Sequence, residues 1–230
     1  GRVAEECDRV VDDEAGRAWI EQHRALAAFL SGDLEAARVR LTSVLQQMSA
    51  LGDRNGVGWA SGLLAFVAFY NRDFAEAARL AQHVGEGASE RGDDWAEAMM
   101  LTLQAHLAVW RGDLEGGLDK AERARQRFRR LGDTLGIVQA ASVLVRAQIS
   151  RGRFDEAQQT SQELLSLAET SPLGAFALVA VANAALHRGN SEAALALAER
   201  AIERMRAANM MLTEPTMTMV FALIQAGRVE

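Results

Sequence analysis

An all-α solenoid of antiparallel helical hairpins is predicted by three observations in this chain of 230 residues. The turns SGDLEAA, NRDFAEAA, RGDLEGG and RGRFDEA recur, and their hinge residues Gly32, Arg72, Gly112, Gly152, Gly189 and Gly227 stand 40, 40, 40, 37 and 38 apart. A second set, Gly52, Gly92 and Gly132, also keeps a spacing of 40. Only two prolines, Pro172 and Pro215, interrupt a chain that is 49% apolar and rich in alanine, a composition that favours helix. A fixed period of this length is the signature of stacked supersecondary units, each burying its apolar face against the next.

The elements follow in order. Residues 1–13 read as the second helix of a truncated repeat and 14–54 as repeat 1. Repeats 2 to 5 then cover 55–93, 94–133, 134–171 and 172–210, and 211–230 reads as the first helix of a further truncated repeat. All belong to a single array, and because both ends look like the hinge inside a hairpin, the chain is expected to be cut from a longer one. Each unit holds two helix-length segments, for example 94–110 and 113–130. The glycines sit where helices must end, since glycine adopts the left-handed conformation that closes a helix C-terminus.

Just after the hinge stand Asp33, Asp73, Asp113 and Asn190, whose short side-chain oxygens suit the N-cap of the second helix. Four residues on come Ala37, Ala77, Gly117, Ala157 and Ala194. First helices carry Ala25, Ala65, Ala105 and Ala182. Small residues on both helices let them approach closely. The last first helix, roughly 213–226, lacks a partner, so Val220, Leu223 and Ile224 are expected to be partly exposed and self-association through this end follows. The C-terminal methionines Met205, Met210, Met211, Met217 and Met219 are read mainly as core.

Small residues at one site on each helix, a Gly-Asp-aromatic or aliphatic turn, and Leu34, Phe74, Leu114 and Phe154 at the turn's apolar position resemble the tetratricopeptide repeat over nearly the whole chain. The resemblance implies a right-handed superhelical solenoid. The unit departs from it in being about forty residues long and in lacking the closing proline. With linkers such as ALGDRNG, SERGDDW and RLGDTLG, the array also looks like the C-terminal repeats of large bacterial signal-transduction ATPases, LuxR-type and maltose-activator-type transcription regulators. That resemblance implies a non-catalytic module receiving an inducer or a partner segment, with the ATPase and DNA-binding parts elsewhere.

Composition narrows the function classes. A net charge of −6 and a pI near 5.4 argue against direct nucleic-acid binding, which needs a concentrated positive surface. The run Arg123, Arg125, Arg127, Arg129 and Arg130 spreads around one helix and is read as a solvated outer face. Lys120 is the only lysine, an arginine bias that points to a GC-rich bacterial genome. Cys7 is the only cysteine, which leaves no intrachain disulfide and no thiolate zinc site. No leader and no apolar run long enough for a membrane span is seen, so a cytoplasmic protein with no membrane partner is expected. No phosphate loop, Gly-x-Ser-x-Gly elbow, His-Glu-x-x-His helix or metal spacing among the four histidines occurs, so no enzyme, cofactor or metal is expected.

In a helical solenoid the first helix of each unit lines the concave groove, and residues recurring in phase on it are the candidate site. Trp19, Trp59, Met99 and Gln139 form one rail, followed by Phe176. Seven residues later come Leu26, Phe66, His106, Arg146, Asn183 and Phe221, polar in the middle. Near the helix ends come Leu30, Tyr70, Trp110, Ser150, His187 and Gln225. The expected groove is Trp19, Trp59, Phe66, Tyr70, Met99, His106, Trp110, Arg146, Asn183 and His187, suited to a ligand with an apolar body and polar handles. His23 and His83 are placed on other faces. Aromatics at helical spacing also serve a core, whereas His106 and Arg146 would be costly to bury alone. The carboxylate clamp of co-chaperone repeats is missing, since only Arg146 and Asn183 have suitable chemistry and no first helix carries a lysine. The partners expected are a small-molecule inducer or a peptide or protein segment. The alternatives are a constitutive scaffold and a peptide-pheromone receptor of the same repeat type.

Overall fold

The computed structural model describes residues 13–170 and 174–228, with side chains up to 167 in the first stretch. The expected helix over 1–13, Cys7 and Pro172 lie outside them, Asp13 excepted. Among the described residues there are eleven helices and no strand: α1 Glu14–Ser31, α2 Leu34–Ala50, α3 Arg54–Tyr70, α4 Phe74–Arg91, α5 Asp94–Trp110, α6 Leu114–Leu131, α7 Thr134–Ser150, α8 Phe154–Thr170, α9 Gly174–His187, α10 Ser191–Ala207 and α11 Thr213–Gln225. The fold is the all-α solenoid of tetratricopeptide-like hairpins, with odd-numbered helices as first helices and even-numbered ones as second.

Every expected hinge is left-handed. Gly32, Gly112, Gly152, Gly189 and Gly227 have φ of 89°, 82°, 72°, 77° and 67°, and Arg72 adopts 65° in the same place. The turn closes by paired backbone bonds, Asp33 N–H to Ala28 O at 2.9 Å and Gly32 N–H to Phe29 O at 3.0 Å, repeated at Asp113 and Asn190. Because a side chain at positive φ costs roughly 1 kcal/mol, Arg72→Gly is expected to stabilise the chain by up to about that amount in urea denaturation. A loss of stability would show that the Arg72 side chain contributes more than its backbone strain costs.

Asp33, Asp73, Asp113 and Asn190 cap second helices as expected, each accepting a backbone N–H three residues on. A second series that the sequence reading passed over, Asp13, Asp53, Asp93 and Asp133, caps the first helices in the same way. Eight caps at about 1 kcal/mol each fix where helices start.

Packing follows residue size. Ala25, Ala65, Ala105 and Ala182, with Ala37, Ala77 and Ala194, are fully buried, and Ala157 nearly so. A Cβ on Gly117 would lie 2.7 Å from Val109 Cγ2, so glycine sets the approach of α6 to the end of α5. Elsewhere a large residue on a second helix faces a glycine on the next first helix. A Cβ on Gly56 would meet Met48 Sδ at 2.5 Å, and one on Gly136 would meet Phe128 Cδ1 at 2.2 Å. The positions one repeat between them are Ala88 and Ala96, both small.

The chain divides into two compact units, residues 1–103 and 104–230, so the division falls inside α5. In the first, α1 to α4 pack in sequence and first helices α1 and α3 also touch. In the second, α6 to α11 pack in sequence, and α7 touches α9, which touches α11. The arginine run on α6 is solvated at Arg123, Arg129 and Arg130 and also carries ion pairs. Arg125 and Arg129 both reach Glu163 of α8, at 3.0 and 2.8 Å, and Arg125 also pairs with Glu122. Most other ion pairs, such as Arg38–Glu35 and Arg79–Glu76, are exposed and worth little to stability. No described helix is long and apolar enough to cross a membrane.

Candidate binding face of the first helices

Register decides which side chains can reach a ligand. Ala25, Ala65, Ala105, Val145 and Ala182 are at most 1% exposed, while the next residue in each case, Leu26, Phe66, His106, Arg146 or Asn183, is half-buried. The helix therefore turns from core to open face within one position. Further along the same helices Tyr70, Trp110 and His187 are exposed, Trp110 at 59%.

In the first unit the aromatic side chains are held from both sides. Trp19 and Trp59 are half-buried and pack against the cluster around Ala18, Leu41, Val44 and Met48, so each is part core and part surface. His23, expected on another face, lies against Trp59 with ring centroids 6.4 Å apart and planes at 26°. Its Nδ1 donates to the Trp19 carbonyl at 2.7 Å. The 3.6-residue turn explains the correction, because His23 is four residues from Trp19 and shares its side of α1. Tyr70 meets Phe29 edge-on at 5.6 Å, and Phe69 on its other side at 5.5 Å. Phe66 and Met99 are half-buried on α3 and α5.

In the second unit the polar residues converge. Arg146 of α7 pairs with Glu214 of α11 at 2.8 Å, and the Asn183 amide of α9 donates to the same Oε1 at 3.5 Å. Asn183 Oδ1 in turn accepts from the Thr218 hydroxyl at 2.8 Å. Three successive first helices thus contribute to one carboxylate site. Burial, and the Arg146 charge beside it, push the His106 imidazole down to about 3, so it is neutral at ordinary pH. His187 lies near the end of α9 and Trp110 at the end of α5, both exposed. Glu214 was missed in the sequence because the rail of Trp19, Trp59, Met99, Gln139 and Phe176 was not carried one repeat further, where Glu214 stands seven residues before Phe221, and Thr218 falls between the two in-phase series. The signal that would have found Glu214 is its place as an acid in the first turn of the last first helix.

No three His, Cys, Asp or Glu among the described residues come together as a metal site. Of the recurrent positions, Val220 of α11 is the exception to burial, 40% exposed where its counterparts are closed. Met217, Phe221 and Ile224 are 49%, 51% and 55% exposed on the same helix.

No family model matches the chain. No curated protein matches it either. Among solved structures, the crystal structure of BtubC (BKLC) from P. vanneervenii is similar over 90% of this chain and 88% of its own, with a TM-score of 0.57 and 19% identity. The crystal structure of yeast Tom70 is similar over 98% of this chain, with a TM-score of 0.57 and 14% identity. This chain spans 43% of Tom70. At such identities the likeness is one of fold, a helical-repeat array.

Proposed function

We propose that the chain is a non-catalytic interaction module whose second unit recognises a carboxylate on a partner segment or an acid-bearing inducer. The observation that carries this is the Arg146–Asn183 pair, which already holds one carboxylate, that of Glu214. Glu214 is 50% exposed, so the same donors are open to an outside acid that displaces it. An exposed ion pair contributes at most about 1 kcal/mol, which makes displacement inexpensive. The forty-residue unit and its linkers support placing this module in a bacterial transcription regulator, where a bound segment would shift the array between conformations.

The test uses a fluorescein-labelled acidic peptide and its neutral amide counterpart in anisotropy titrations. Glu214→Gln is expected to tighten binding of the acidic peptide, and Arg146→Ala to weaken it roughly 10- to 100-fold, as loss of a charge-assisted hydrogen bond implies. The neutral peptide should respond to neither. Binding of both peptides with equal affinity, unchanged by either substitution, would overturn the proposal. The exposed stripe on α11 favours a second reading, a scaffold that docks a partner there, and under it Phe221→Asp abolishes capture while Arg146→Ala does not.

A further inference from the structure

Away from that face, the first unit carries a cleft of about 350 Å³ between the end of α2, the first turns of α3 and the second half of α4. The Arg91 guanidinium spans it. Its Nη2 lies 3.1 Å from where a Cβ on Gly58 would stand, and its Nη1 the same distance from one on Gly87. Nε of Arg91 is buried and has no hydrogen-bond acceptor. No carboxylate pairs with the group among the described residues, although Glu86 and Glu90 line the same cleft. Ser61, 8% exposed, lines the floor with a hydroxyl that has no described hydrogen-bond partner.

The repeats themselves show that this arrangement is particular to one unit. One or two periods away, the position of Gly58 holds Ala18, Ala98 or Val138, that of Gly87 holds Gln47 or Arg127, and that of Arg91 holds Leu51 or Leu131. Two side chains are deleted and a cation is introduced in the same repeat, at three places that meet in space. A cation in the last turn of α4 is favoured by the helix dipole, but that role asks for no cleared space around it. A buried Nε–H with no acceptor is costly unless something in the cleft accepts from it.

We infer that the cleft over Gly58 and Gly87 binds a small aliphatic amino acid or dipeptide, its carboxylate held by Arg91 and Ser61. Val57 and Val84 supply the apolar wall, and Glu86 and Glu90 at the rim accept from the ligand's ammonium group. Arg54 and Arg91 balance those two glutamates, and the even charge favours a zwitterion over a dianion such as phosphate. The site is separate from the Arg146 cluster and does not depend on it.

Leucyl-leucine is the probe, followed through the Arg91 Nε–H resonance in 15N-labelled protein, assigned by its loss in Arg91→Lys. A saturable shift is expected, with leucyl-leucinamide binding at least about tenfold more weakly for want of the carboxylate. Ser61→Ala, which keeps the fold, should weaken binding several-fold. Gly87→Ala, which displaces the guanidinium, should do the same. Absence of a saturable shift with leucyl-leucine, or an equal response to the amide, overturns the assignment. So does binding that Ser61→Ala and Gly87→Ala both leave unchanged.

Discussion

Replacing Gly136 by alanine lowers stability by about 1–3 kcal/mol in urea denaturation, although the same change in an open helix would raise it by roughly 0.5–1 kcal/mol. The reason is the Phe128 ring, fully buried, whose Cδ1 stands 2.2 Å from the new Cβ. Phe128→Ala alone costs about 3–5 kcal/mol, the usual loss for emptying an aromatic site. The informative experiment is the double-mutant cycle. In the Phe128→Ala background, Gly136→Ala becomes stabilising, since that pair reproduces Ala88 and Ala96 one repeat earlier. A Gly136→Ala effect of the same sign in both backgrounds would show that Phe128 and Gly136 are not the complementary pair the structure makes them.

Acidification is the second perturbation with a large effect. The His106 imidazole ordinarily takes a proton near 6.5, but in the folded chain burial and the Arg146 charge lower this to about 3. Below 6.5 the unfolded chain therefore binds a proton that the folded chain refuses. Stability is intact above pH 6.5 and is lost as the pH falls toward 3, by about 2 kcal/mol between pH 6.5 and 5 from this group. His106→Gln removes that slope while leaving stability at pH 7.5 within about 1 kcal/mol, which denaturation at a series of pH values will show. Arg146→Gln reduces the slope by withdrawing the neighbouring charge. A wild-type slope unchanged in His106→Gln would place the titration on another group.

The regular part of this molecule was legible in the residues because it is local. Left-handed hinges, caps that stand just before a helix and accept an N–H three residues on, and small residues at fixed register each depend on a few neighbours along the chain. Repetition states each dependence several times over. Even the departure at Arg72 is readable, since the five glycines around it show what the backbone there requires. On the first helices a core residue is followed by a half-buried one from Ala25 and Leu26 to Ala182 and Asn183, whereas Val220 and Phe221 are both exposed.

What the repeat could not announce is where its exceptions meet. Glu214 lies 68 residues from Arg146, and the period says only that both stand on first helices, not that they pair. His23 reached Trp59 through helix packing, not through sequence spacing. Met48 and Phe128 found their glycines eight residues on, a complementarity of volume that shows only when helices are packed. The cleft over Gly58, Gly87 and Arg91 is assembled from three helices, and Gly58 and Gly87 in it are about thirty residues apart. The sequence by itself determined the hairpins and their ends, because hydrogen-bond geometry and side-chain size act over one turn of helix. Tertiary structure alone decided which charges are paired, which cation is left without an acceptor and where space remains, because those depend on distances between helices.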